Sequence, residues 1–286
     1  MRIIKGIGGF YYVTEDDGKA PRGARMGAAS RCYECRAKGK FRKDGIKPMI
    51  GDFVKLADNN TVIAEILERK NELVRPAVSN VDQVLIVLAT ENPKPDLFLV
   101  DKLILQAKLA NAEPIICVNK TDLADAKAIC KIYQNAGLKT LAISALEKKG
   151  LGAVGQILKN KTTVLAGNSG VGKSTILNTL GFNSETGDIS KIGRGKHTTR
   201  HNELFKLCDN TFIIDTAGFS ILDIANIEKN SVKNYFTEFE GYNCKFQDCL
   251  HLPNTVCEVN SAVSSGKIAK SRYDSYLKLI NAIQGV

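Results

Sequence analysis

No stretch of this 286-residue chain stays apolar for the roughly 18 residues that a membrane-crossing helix needs, so a helical membrane anchor is not expected. The residues after Met1 form a short mixed segment without the apolar core of a secretory leader, and a cytoplasmic location is the expectation. Internal repeats and long low-complexity tracts are also missing, which argues against solenoids and extended disordered tails. Acidic residues are scarce relative to basic ones, 30 Asp and Glu against 40 Lys and Arg. The net charge of +10 favours a polyanionic partner. What remains is ordinary for a soluble globular protein, 44% hydrophobic and 24% charged. The length exceeds what one core usually supports, so two or three domains are expected. In a reducing compartment the eight cysteines should be free thiols, and clustered ones read as metal ligands before disulfides.

The texture changes twice along the chain. Residues 1–72 carry short apolar stretches broken by turn residues, at 6–13, 51–56 and 61–67, and this pattern predicts a small β-barrel. An OB-fold is the favoured form and an SH3-like barrel the alternative. Residues 73–222 alternate strands and helices. The continuous apolar run Val84-Leu85-Ile86-Val87-Leu88 predicts a strand covered on both faces. A helix over 96–111, a strand over 114–118, a helix over 124–136 ending at Gly137 and a strand over 139–143 follow. A short helix near 151–159, a strand over 162–166, a helix from Lys173 and strands over 205–207 and 211–214 complete an α/β unit with a mainly parallel, doubly wound sheet. Residues 223–286 are expected to be mainly helical, with helices near 229–240 and 266–283 around a Cys/His cluster. So small a tail gains from a metal staple.

Gly167-Asn168-Ser169-Gly170-Val171-Gly172-Lys173-Ser174 matches the phosphate loop Gly-x-x-x-x-Gly-Lys-Ser/Thr and sits between a predicted strand and a predicted helix, as its mechanism requires. Its glycines let backbone N–H groups face a β-phosphate, Lys173 is expected to bridge β- and γ-phosphate oxygens, and Ser174, followed by Thr175, to reach Mg²⁺ and phosphate. Asn119-Lys120-Thr121-Asp122 chooses the base. A carboxylate at Asp122 accepts from the N1–H and exocyclic amine of guanine, a donor pair that adenine lacks; Asn119 tethers the loop and the Lys120 stem lies over the ring. Ser144-Ala145, past the next strand, offers a backbone N–H to guanine O6. GTP or GDP is therefore the expected ligand, and a P-loop metabolic kinase is disfavoured. The base reader precedes the phosphate loop, whereas Ras-like enzymes have the opposite order, so the motif order is circularly permuted.

Asp215-Thr216-Ala217-Gly218 closes the predicted strand 211–214. Asp215 is expected to hold Mg²⁺ through water, and the Gly218 N–H to sense the γ-phosphate. Thr198 and Thr199 lie in the basic stretch Gly193–Arg200, and Thr199 is the favoured second Mg²⁺ ligand beside Ser174. The position after Gly218 lacks the glutamine that orients water in Ras-like enzymes and holds Phe219 instead. His197 is the nearest side chain able to position or deprotonate water near neutral pH; the alternative is that it only contacts RNA phosphate. Cys244, Cys249, His251 and Cys257 form a Cys₃His set suited to tetrahedral Zn²⁺, with no coordination position left open, so the site is expected to be structural. Cys32 and Cys35 have no second pair nearby and read as ordinary strand cysteines. Arg22, Arg25, Arg31, Arg36, Lys38, Lys40, Arg42, Lys43 and Lys47 form a basic block, interleaved with Tyr33 and Phe41 as candidate stacking platforms for RNA.

Permuted motif order, the switch with His197-Thr198-Thr199, the Phe219 replacement, the Cys₃His spacing and the basic stretch Cys35–Arg42 together resemble the RsgA (YjeQ/YloQ) family of circularly permuted bacterial GTPases, along essentially the whole chain. Ala217 departs from the proline common there. The resemblance implies an OB-fold, whose basic hairpin would be Cys35–Arg42, a GTPase core and a zinc domain. It also implies binding to the small ribosomal subunit and its rRNA, and GTP hydrolysis stimulated by that subunit during late maturation, with His197, Lys173 and Thr199 as the catalytic positions. No membrane partner and a monomeric state are expected. The alternative is an RNA-binding adaptor regulated by nucleotide that barely hydrolyses it.

Overall fold

The computed structural model describes residues 1–15, 32–181, 203–208, 210–215, 227–246, 248–253 and 255–283. At the N-terminus, β1 (Arg2–Ile7) and β2 (Phe10–Thr14) form a hairpin. Gly8 and Gly9 turn it with φ of 59° and 85°, the two consecutive positive angles of a tight type I′ connection. The stretch 6–13, whose glycines break it in the sequence, is thus the end of β1, the turn and most of β2. β3 (Cys32–Ala37), helix α1 (Gly39–Lys43), β4 (Val54–Leu56) and β5 (Val62–Ile66) follow.

The strand order is β1-β2-β3-β5-β4, with β3 parallel to β5 and the other pairs antiparallel. The circle closes where Arg2 bridges Phe53, and the backbone bonds Ile3 N–H to Asp52 O and Val54 N–H to Met1 O, both 2.9 Å, join its two ends. A closed five-stranded barrel with a helix between its third and fourth strands is an OB-fold, not an SH3-like barrel. Ile3, Val13, Cys35, Phe41, Val54 and Ile63 fill it. Phe41 is thus a core residue and not a surface stacking platform, and the stretch Cys35–Arg42, read as a hairpin, is the end of β3 followed by α1. Cys32 and Cys35 both lie on β3, the first exposed and the second buried.

Two short strands, β6 (Glu72–Leu73) and β7 (Val78–Ser79), form a joint beneath the barrel. The fully buried Asp52 is held there by Arg69 (2.7 and 2.9 Å) and by the Ser79 hydroxyl (2.6 Å). The α/β core then runs β8 (Gln83–Ala89), α2 (Leu97–Leu109), β9 (Glu113–Asn119), α3 (Lys127–Asn135), β10 (Lys139–Ala142), α4 (Leu151–Leu158), β11 (Thr162–Ala166), α5 (Lys173–Thr179), β12 (Glu203–Cys208) and β13 (Thr211–Asp215). Its strands stand in the order β10-β9-β8-β11-β13-β12, parallel except for β12.

The apolar run in β8 has the physical origin expected of it. Val84, Ile86 and Leu88 pack with α2 and α3 on one face, while Leu85, Val87 and Ala89 pack with α4 and α5 on the other. Asp96 caps α2 by accepting from Leu99 N–H at 3.0 Å. Gly137 leaves α3 with φ of 73°, in the left-handed region where a side chain is disfavoured.

Barrel and core share one eleven-stranded sheet, because β1 pairs antiparallel with β12. Lys5 lies opposite Glu203 there, and their side chains form an ion pair at 3.3 Å. The C-terminal part begins with two 3₁₀ turns, Lys229–Tyr235 and Thr237–Phe239, where sequence periodicity predicts one helix. It continues with α6 (Glu258–Ser264) and α7 (Lys270–Ile283). Phe236, Phe239, Val259, Tyr276 and Leu279 pack with Leu105 of α2, which seats this part on the α/β core.

Candidate nucleotide site and metal centre

The parallel strands β8, β9, β10, β11 and β13 all point the same way, so their C-terminal ends gather the chemistry-bearing loops at one edge. Asn119 ends β9, Asp215 ends β13, and Gly167 follows β11 directly. The base-reading and phosphate-loop segments, separated in sequence, meet here. Asn119, 2% exposed, donates from Nδ2 to the Val171 carbonyl at 2.9 Å and accepts the Ala145 N–H on Oδ1 at 3.0 Å. One amide side chain therefore ties the base reader, the phosphate loop and the Ser144-Ala145 loop together. Such buried polar groups are costly to leave unpaired, which makes this tie structurally demanding as well as chemically placed.

The phosphate loop's glycines are needed by geometry. Gly167 has φ of 133°, and a Cβ on it would lie 2.1 Å from the Val87 carbonyl oxygen. Gly172 has φ of 99°, and a Cβ there would lie 2.2 Å from Asn119 Nδ2. Lys173, half-buried at the start of α5, donates from Nζ to the carbonyls of Gly167 and Asn168, both at 2.8 Å. Burial pushes its pKa down, and the Asp215 carboxylate opposes that. Ser169, Gly170, Ser174 and Thr175 are exposed along the same loop and helix start.

Across the pocket, Asp122 is exposed, and its Oδ1 accepts the Ser144 hydroxyl at 2.5 Å. The Ser144 oxygen in turn accepts the Glu147 N–H at 3.1 Å. Thr121 N–H donates to the Ile143 carbonyl at 3.1 Å, so the base-reading turn leans on the end of β10. Lys120 adopts φ of 64°, and its Nζ donates to the Asn92 carbonyl. Two contributors lie outside every motif: Thr90 and Asn92, in the loop after β8, both bond to Lys120. Nothing in their local sequence marks them. His197, Thr198 and Thr199 of the first switch, and Thr216, Ala217, Gly218 and Phe219 of the second, lie outside the described residues.

The four sequence-predicted metal ligands converge. Cys244, Cys249, His251 and Cys257 place one donor atom each within 4.8 Å of one another. Cys244 Sγ lies 3.5 Å from both His251 Nδ1 and Cys257 Sγ, and His251 Nδ1 lies 3.3 Å from Cys257 Sγ. A tetrahedral zinc with bonds of about 2.3 Å to sulfur sets its sulfurs about 3.8 Å apart, so the donor set fits that ion. Burial lowers the His251 pKa, which favours the neutral imidazole that binds metals. The surrounding protein clamps the ligand loop. Tyr273 and Tyr276 donate their hydroxyls to the carbonyls of His251 (2.6 Å) and Leu250 (2.7 Å), and Phe239 meets the imidazole edge-on at 5.5 Å.

On the barrel, Arg36, Lys38, Lys40, Lys43 and Lys47 are exposed, and the Arg36 guanidinium lies 4.5 Å above the Phe10 ring. Arg22, Arg25 and Arg31 lie outside the described residues, as does the Arg42 side chain. Among the described residues, no helix is long and apolar enough to cross a membrane.

Known proteins show the same design. A family model described as RsgA GTPase matches residues 66–225, and one described as RsgA N-terminal domain matches residues 2–66. The small ribosomal subunit biogenesis GTPase RsgA of Clostridium perfringens is 42% identical over 291 residues, spanning 98% of this chain and 96% of that protein. Its namesake in Clostridium kluyveri is 44% identical over the same shares of both chains. Among solved structures, YjeQ from Thermotoga maritima superposes with a TM-score of 0.77 at 30% identity, covering 100% of this chain and 98% of that one. YloQ, described as a circularly permuted GTPase, gives 0.75 at 32% identity, with 99% and 94% covered. Because this likeness runs the full length of the chain and includes the permuted strand-and-motif order, the chain belongs to the RsgA family of circularly permuted GTPases.

Proposed function

We propose that this chain is a cytoplasmic GTPase that binds the small ribosomal subunit and its rRNA and hydrolyses GTP during late maturation of that subunit, which stimulates the reaction. The observation that carries the reading is the Asn119 tie, which makes one pocket of a guanine reader and a phosphate loop. Asp122 reads the guanine donors, Asn119, Lys120 and Thr121 hold the reading turn, and Ser144-Ala145 closes over the base. Residues 167–173 cradle the phosphates through backbone N–H groups, and Lys173 leaves the loop carbonyls to bridge the β- and γ-phosphate oxygens. Ser174 and Thr199 would hold Mg²⁺, Asp215 would reach it through water, and the ion when bound neutralises charge developing between the phosphates. Gly218 senses the γ-phosphate, and Thr175 follows at the helix start.

Phe219 has no group able to orient water, so His197 takes that role and receives the proton. The exposed basic residues of the barrel supply a salt-sensitive RNA surface. The Cys₃His cluster holds one structural zinc, whose binding is folding energy for the C-terminal part. The chain works as a monomer divided at about residues 72 and 222. Loss of the γ-phosphate would release the second switch, which runs directly into the zinc-binding part.

Turnover of GTP by the full chain, measured with purified small subunits, large subunits and free RNA, tests this. Small subunits alone should accelerate hydrolysis, and His197→Ala should lower the stimulated rate by about 100-fold or more. No acceleration, with an unchanged rate in His197→Ala, would leave a nucleotide-regulated adaptor as the better description.

A further inference from the structure

Thr90 stands one residue beyond β8, is 5% exposed, and belongs to none of the nucleotide motifs. It grips the base-reading turn at two points. Its N–H donates to the Asn119 carbonyl at 3.0 Å, extending the β8–β9 ladder by one rung. Its hydroxyl donates to the Lys120 carbonyl at 2.6 Å. The second bond falls where the backbone is least self-sufficient. Lys120 is left-handed, with φ of 64°, a conformation that a side-chain-bearing residue keeps only when its surroundings impose it.

The Lys120 carbonyl belongs to the peptide plane joining Lys120 to Thr121, and Asp122 is one residue further on. Rotation of that plane redirects both the Lys120 stem and the Asp122 carboxylate. The N–H end of the same plane is held by Thr121 N–H on the Ile143 carbonyl at 3.1 Å, and Asp122 by the Ser144 hydroxyl. Thr90 supplies the opposing hold, assisted by the Asn92 carbonyl on Lys120 Nζ.

We propose that Thr90 is a positioning residue for guanine recognition, its hydroxyl pinning the Lys120–Thr121 peptide plane so that Asp122 meets both donors of the base. The role rests on the guanine-pocket reading given above. The test compares GDP with inosine diphosphate, which lacks the exocyclic amine and so offers Asp122 one donor instead of two. Calorimetric dissociation constants for both ligands are measured on the full chain and on Thr90→Val, Thr90→Ala and Thr90→Ser. Two hydroxyl-free variants are used so that the result does not hang on one of them folding.

Thr90→Val and Thr90→Ala should bind GDP about tenfold more weakly, equivalent to about 1.4 kcal/mol. Inosine diphosphate should lose only about threefold, because one of its two contacts is already missing. Thr90→Ser, which keeps the hydroxyl, should stay within about twofold of the parent for both. The positioning role is overturned if the parent prefers GDP but the hydroxyl-free variants keep its affinity, or weaken both ligands equally, or if Thr90→Ser is as impaired as Thr90→Val. A parent chain that binds inosine diphosphate as tightly as GDP would instead remove the guanine reading on which the proposal stands.

Discussion

Arg272→Met is expected to unlatch the C-terminal part from the GTPase core. Arg272, on α7 and 1% exposed, joins three elements. Its Nη1 donates to Asp101 Oδ1 on α2 at 2.7 Å, and its Nε and Nη2 reach the two oxygens of Glu238, in the second 3₁₀ turn, at 2.6 and 3.1 Å. The guanidinium also lies 4.6 Å from the centre of the Phe236 ring. Methionine keeps length and apolar volume but strands two carboxylates whose side chains are 0% and 5% exposed. Breaking a buried pair by removing one partner costs about 3–5 kcal/mol, and two orphaned partners place this case near the upper end. Domains are stable by only about 5–15 kcal/mol, so the loss should be plain.

The deficit should also depend on pH. Burial raises the Asp101 carboxyl above its ordinary range while Arg272 opposes the rise, so removing Arg272 lets the rise grow. A carboxyl whose folded pKa exceeds its unfolded value of about 3.9 keeps its proton longer in the folded state. Stability therefore falls as pH climbs through that interval. The variant should be least impaired near pH 4 and most impaired at neutrality. Urea denaturation followed by tyrosine fluorescence suits the measurement, because the chain has no tryptophan and Tyr273 and Tyr276 sit in the same cluster. Asp101→Asn combined with Arg272→Met should recover part of the loss. A cost below about 1 kcal/mol at pH 7, or a double variant no more stable than the single one, would refute the argument.

Gly172→Ala should lower GDP affinity at least about tenfold, since its methyl would displace the Asn119 amide from Val171, a buried bond worth about 1–3 kcal/mol when broken; undiminished affinity in calorimetry would contradict this. Chelation, or Cys249→Ser, should lower the melting temperature of the C-terminal part, because a metal held by the Cys₃His set would couple its binding to folding there. An unchanged thermal transition would show that the cluster needs no ion. Lys5→Glu should cost about 0.5–1 kcal/mol in denaturant unfolding, given side chains 23% and 22% exposed, and the swap Lys5→Glu with Glu203→Lys should restore it. If the swap is no better than the single change, the pair is not the source of the effect.

The convergence of the base-reading and phosphate-loop segments was legible because these motifs need fixed residue types at fixed spacing. Gly167, Gly172 and Asn119 occupy positions whose backbone angles or contacts admit little else. The β8 strand was legible because burial on both faces leaves only apolar residues, and the Cys₃His cluster because soft donors rarely gather without cause. What escaped has no local signal. Phe41 looked available for stacking because its neighbours are charged, yet α1 turns it into the barrel. The two 3₁₀ turns over 229–239 were read as one helix, since 3.6-residue and 3-residue periods are hard to separate over so few residues. Thr90 acts through a hydroxyl and a carbonyl brought together by strand pairing, which no motif encodes.

The pairing of β1 with β12 bears on how the molecule is made. Lys5 and Glu203 are partners in the sheet yet lie about 200 residues apart in the chain, a separation that delays contact formation. During synthesis the barrel's strands emerge first and can close on one another. The start of β1 pairs with residues 51–54 within the barrel, whereas the stretch around Lys5 waits for β12 to leave the ribosome. The seam between the two modules thus zips only after most of the chain has emerged, and a chain cut before β12 would leave the stretch of β1 around Lys5 without its sheet partner.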